Sequence, residues 1–88
     1  MLEKEIERKI GRLIKSKGGL WYKFVSPMNS GVPDRIAILP EGRVLFIEIK
    51  AKGGRLSPIQ KVVHEEFSKR GVTVYTVKTV EEVEQLCE

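Results

Sequence analysis

A single cysteine, Cys87, is all that 88 residues offer for crosslinking. That excludes an internal disulfide and a cysteine-built zinc site. No stretch approaches the roughly 18 consecutive apolar residues of a membrane span. The opening MLEKEIERK is charged and helical in pattern, so it does not read as a signal peptide. There is no internal repeat, low-complexity segment or linker. The length is also too small for two domains, and residues 1–88 are expected to form one. A chain of this size buries only about 60–65% of its unfolded surface, so its core is thin and self-association would help it. Together these absences point to a cytoplasmic domain without a membrane partner.

What is present is an ordinary globular composition, 41% hydrophobic and 32% charged. Sixteen Lys and Arg against twelve Asp and Glu leave a formal charge of +4. Such an excess suits a polyanion without demanding one. Residues 2–17 carry Leu2, Ile6, Ile10, Leu13 and Ile14 at helical spacing, and Gly18-Gly19 ends the helix. LWYKFV (20–25) reads as a strand, followed by a turn-rich loop, SPMNSGVP. DRIAIL (34–39) is a second strand, and Pro40-Glu41-Gly42 turns it into a third, RVLFIEIKAK (43–52), which Gly53-Gly54-Arg55 breaks.

The next helix announces itself chemically. Ser57 is placed as N-cap, Pro58 takes the first helical position, and Gln60 completes a capping box. Ile59, Val62, Val63 and Phe67 form its apolar stripe, and Gly71 closes it. VTVYTV (72–77) is a strand. Thr79 and Glu82 offer a second capping box for a short helix through Val80, Val83 and Leu86. The predicted order is α-β-β-β-α-β-α, one α/β domain.

The third strand carries the chemistry. Leu45, Ile47, Ile49 and Ala51 give one apolar face, as expected against a core. The other face begins with Val44 and Phe46, then turns to Glu48, Lys50 and Lys52. A buried strand thus delivers a carboxylate and an ammonium onto one face near its end, a rigid way to hold a metal and a reacting group. The plainer reading is a strand emerging into solvent with an incidental Glu/Lys pair. Asp34 weighs against it. The turn at 40–42 pairs the second and third strands antiparallel, which brings Asp34 beside Glu48 at one end of the sheet. Two converging carboxylates repel unless one is protonated or a cation lies between them. Hard oxygen ligands favour Mg²⁺ or Mn²⁺, and Lys50 is placed to orient or deprotonate a water. Asp34 also has a structural reading, as a turn-capping aspartate after proline.

Val32-Pro33-Asp34, thirteen residues, then Glu48-Ile49-Lys50 resembles the PD-(D/E)xK nuclease signature. More specific is the surrounding series: Gly31-Val32-Pro33-Asp34-Arg35, Phe46-Ile47-Glu48-Ile49-Lys50, then Gly53 to Gln60 with Leu56-Ser57-Pro58-Ile59-Gln60. It is similar, over essentially the whole chain, to the VRR-NUC family and above all to its small stand-alone members, many carried by bacteriophages. The opening helix also resembles that of archaeal Holliday-junction resolvases. The resemblance implies a restriction-endonuclease-like core, a mixed sheet flanked by helices. It implies that Asp34 and Glu48 bind the metal with the backbone carbonyl of Ile49, and that Lys50 positions the water or stabilises transition-state charge. Glu7 would add a carboxylate from the first helix, and Gln60 would reach in from the second to hold Lys50 or the nucleophile.

The residues themselves support the last two unevenly. Glu7 flanks the apolar stripe and has Gly11 where a helical ion-pair partner would stand. Gln60 already has a structural task in its capping box. His64, one turn on, is left outside the site, since a lone histidine on a helix edge is usually structural. Lys23, Arg35, Lys52, Arg55 and Lys61 suit phosphate contacts, although each alone is an ordinary surface charge. Trp21 and Tyr22 are placed to stack on bases, but in so small a domain at least one belongs to the core.

The expectation is therefore a Mg²⁺- or Mn²⁺-dependent endonuclease hydrolysing DNA by direct water attack, since no Ser, Cys or Tyr accompanies the site. So small a domain has little room for base readout, which favours recognition of DNA shape or branching. Similar stand-alone members act as homodimers on four-way junctions; if phage-encoded, the protein would work in the host cytoplasm. Two rivals stand beside this: a nuclease-like DNA-binding module without catalysis, and a non-nuclease α/β interaction module.

Overall fold

A computed structural model describes residues 2–88. In chain order it contains α1 (Glu3–Ser16), β1 (Leu20–Lys23), β2 (Arg35–Leu39), a 3-10 turn (Pro40–Gly42), β3 (Arg43–Ile49), α2 (Pro58–Lys69), β4 (Val74–Val77) and α3 (Val80–Leu86). The strands form one mixed sheet in the order β1-β2-β3-β4. The first three are antiparallel, and β4 lies parallel to β3. That parallel pair needs a crossover, which α2 supplies. The order and the mixed α/β sheet are those predicted.

One face of the sheet carries the core. Ile6, Ile10 and Ile14 stack at four-residue spacing along α1 and are buried against Ala37, Leu39, Leu45, Ile47 and Ile49, with Val77 and Val83 completing the layer. Gly11 lets Trp21 lie against α1, because a Cβ there would stand 2.8 Å from the indole. The opposite face is covered in part by α2, whose Phe67 meets Phe46 edge-on at 5.4 Å between ring centroids. Beyond α2 the face is open. Leu20, Ile38 and Val44, paired in register across three strands, remain 49%, 36% and 50% exposed.

All four strands are shorter than the sequence suggests, β2 by Asp34 alone. β1 stops at Lys23, although the Phe24 amide still donates to the Asp34 carbonyl at 2.8 Å. β3 ends at Ile49. The Lys50 amide makes a last bond to the Val77 carbonyl, after which Gly54 folds back to the Ala51 carbonyl. β4 starts at Val74 because the Val72 amide closes α2 by donating to the Phe67 carbonyl, with Gly71 left-handed at φ 82°.

Candidate active site

The β2–β3 register sets the site. Arg35 opposes Ile47, so the next step brings Asp34 and Glu48 together. Pro33 is fully buried and fixes the approach to Asp34, which is itself exposed. Glu48 shares the face of Phe46, under α2, and is 0% exposed.

The surroundings of its two carboxyl oxygens differ. Oε1 lies 3.2 Å from His64 Nε2, whereas Oε2 is buried and has no hydrogen-bond partner. A buried lone oxygen of this kind costs about 1–3 kcal/mol unless something else satisfies it. Burial pushes the Glu48 carboxyl up to about 8. Asp34 adds to the rise as a proton-sharing and like-charged neighbour, although no well-formed hydrogen bond joins the pair. The positive charge of Lys50 opposes it, and Glu3 adds a smaller push. Burial and Lys50 hold the His64 imidazole below its ordinary value, with Asp34 acting the other way. Asp34, Glu48, Lys50 and His64 therefore form one electrostatic cluster at the end of the sheet.

The remaining sequence-predicted residues lie around this cluster or apart from it. Glu7 is ion-paired with Arg35, whose guanidinium sits 5.5 Å over the Trp21 ring. The Glu7 carboxylate is thereby engaged in anchoring α1 to β2, and the α1 charge felt by Glu48 is that of Glu3. Arg35, only 21% exposed, is turned inward to this pair, and Trp21 packs on the core, as expected of at least one of Trp21 and Tyr22 in so small a domain. Gln60 closes the capping box, its Oε1 accepting from the Ser57 amide at 2.9 Å. Its oxygen is thus directed back to the helix start and not to Lys50. Lys23, Arg55 and Lys61 are exposed. Lys52 opens onto a cleft of about 410 Å³ shared with Ile6, Lys9, Lys78, Thr79, Val80 and Glu81.

His64 is the residue that sequence reasoning left out. The available signal was its position one turn beyond Gln60, on the helix side that meets the Phe46/Glu48 face. Among the described residues, no three His, Cys, Asp or Glu side chains close around a single point. Asp34 and Glu48 are a sparse set of hard oxygens, of a kind compatible with an ion such as Mg²⁺ that keeps much of its shell for water and substrate.

The VRR-NUC domain profile matches residues 2–81. The chain belongs to the VRR-NUC family. It is 44% identical over 69 residues to p44 of Acyrthosiphon pisum secondary endosymbiont phage 1, named as a candidate nuclease; the match covers 78% of this chain and 74% of that protein. A solved VRR_NUC domain superposes with a TM-score of 0.87 at 33% identity, covering 96% of this chain and 91% of the other. This VRR-NUC domain is thus of the nuclease type, which implies DNA as substrate, and nucleases of this type generally require a divalent cation.

Proposed function

We propose that this VRR-NUC domain is a Mg²⁺- or Mn²⁺-dependent DNA endonuclease that acts as a homodimer on branched DNA, four-way junctions included. The observation that carries the reading is the buried, partnerless Oε2 of Glu48 beside an exposed Asp34. An orphaned carboxyl oxygen beside a second carboxylate fits a shared proton or a cation, and in a chain of a nuclease family the cation is the reading that gives both groups a task. Asp34 and Glu48 would hold the ion, with the Ile49 carbonyl as the third protein oxygen that the family resemblance implies. A bound cation of this class polarises a phosphoryl oxygen and makes its water more acidic.

The chain's own groups do the rest. The Lys50 ammonium, set against both Glu48 and His64 by charge, stabilises negative charge growing on the phosphate and orients the attacking water. Asp34, being exposed, meets the substrate side, while Glu48 stays fixed in the protein. Water is the nucleophile, so no covalent intermediate forms. Lys23, Lys52, Arg55 and Lys61 supply phosphate contacts around the cut. The open apolar row of Leu20, Ile38 and Val44 supports the homodimer, since a thin core gains from covering it.

Cleavage of labelled single-strand, duplex, flap and four-way-junction DNA, with sedimentation in parallel, tests this reading. Paired cuts in the junction by a species of about twice 10.0 kDa are expected. Equal cutting of all four DNAs by a monomer would count against branch selectivity and pairing together.

A further inference from the structure

His64 has no part in the mechanism above, yet it touches a side chain with no solvent contact at all. Its ring is 11% exposed and lies under the second turn of α2, with Nε2 3.2 Å from Glu48 Oε1. Three residues on, Phe67 packs on Phe46, two residues before Glu48. Two rungs therefore join α2 to β3, one aromatic and one polar, and the aromatic one fixes where the imidazole can be. The asymmetry at Glu48 follows: Oε1 is tied to the protein and Oε2 is left over. An ionised carboxylate only accepts hydrogen bonds. With a cation at Oε2, the contact at Oε1 therefore requires Nε2–H to donate.

Resting on the metal-dependent reading, we propose that His64 is a positioning residue that holds Glu48 by Oε1 and so presents Oε2 to the cation. His64 is not itself a ligand, because its Nε2 is engaged with Glu48 and no third side chain closes on the same point among the described residues. Loss of a group that holds a ligating carboxylate or imidazole from behind typically costs about 10–100-fold in affinity for the ion.

The test is Mn²⁺ affinity without DNA, read from the paramagnetic resonance signal of free Mn²⁺. Wild type is compared with His64→Leu, which keeps bulk and removes the donor, and His64→Gln, which restores an N–H. His64→Leu is expected to bind Mn²⁺ about 10–100-fold more weakly, while His64→Gln stays within severalfold of wild type. Should His64→Leu fail to fold, His64→Met provides the donor-free arm. Unchanged binding by the donor-free variant, or equal losses in donor-free and Gln variants, would reduce His64 to packing. Wild type that leaves the Mn²⁺ signal untouched would instead remove the metal reading, and this inference with it.

Discussion

Asp34 and Glu48 stand one register step beyond the Arg35–Ile47 pair, the first exposed and the second wholly buried. Without a cation, ionising Glu48 places two like charges side by side at the end of a hairpin. Asp34→Asn removes one of them. In EDTA at pH 9 the variant is expected to melt a few degrees above wild type, since about 1 kcal/mol moves a domain this small by roughly 4–8 °C. The gap should shrink at pH 6, where Glu48 is neutral. Mn²⁺ should raise the wild-type melting temperature and leave the variant nearly unmoved. A destabilised Asp34→Asn that still responds to Mn²⁺ would make Asp34 a turn cap.

The raised Glu48 carboxyl also predicts a pH dependence of metal-free stability. Its folded value near 8 lies above the ordinary 4.5, so between these the folded state holds more protons than the unfolded one. Its contribution is complete below 4.5 and lost as pH rises towards 8. His64, held low, acts oppositely: its contribution is present above 6.5 and lost as pH falls below it. The difference in melting temperature between wild type and Glu48→Gln in EDTA isolates the first effect. That difference should move in favour of Glu48→Gln from pH 5 to pH 8. A flat difference would mean that Glu48 is ionised throughout.

Much of this was legible in the sequence because it rests on short-range rules. Ile6, Ile10 and Ile14 declared a helix face, Ser57-Pro58-Ile59-Gln60 a helix start, and a tight turn at 40–42 a hairpin register that joins Asp34 to Glu48. What was not legible depended on packing between distant elements. Glu7 meets Arg35 across 28 positions, and the Gly11 contact with Trp21 shows its purpose only once α1 lies on the sheet. His64 was left outside the site for the same reason: helical spacing does not say which strand residue lies beneath it.

The Glu7–Arg35 pair separates an anchoring role from a ligand role. Both side chains are about a quarter exposed, so Glu7→Gln should cost at most about 1 kcal/mol in stability. Mn²⁺ affinity and cleavage should stay within severalfold of wild type. A loss of affinity beyond tenfold, at an unchanged melting temperature, would return Glu7 to the metal site.

Salt dependence sorts the basic residues. On duplex DNA, log K falls with log salt by about 0.9 per phosphate contacted. Lys52→Ala, exposed on its lysine-rimmed cleft, should flatten that slope by roughly one unit. Arg35→Ala should leave the slope unchanged and lower the melting temperature, because Arg35 is engaged with Glu7 and Trp21. The reverse pattern would put Arg35 on the phosphates.

In the proposed mechanism, Asp34, Glu48 and Lys50 form a cation-dependent hydrolytic site. Single-turnover cleavage of a labelled four-way junction, with Mn²⁺ or with EDTA, tests it most directly. Wild type is expected to cut with Mn²⁺ and not with EDTA, and Asp34→Ala, Glu48→Ala and Lys50→Ala, each still folded, to give no product. Cutting that persists in EDTA, or near-normal cutting by Glu48→Ala with contaminating nuclease excluded, would contradict the account.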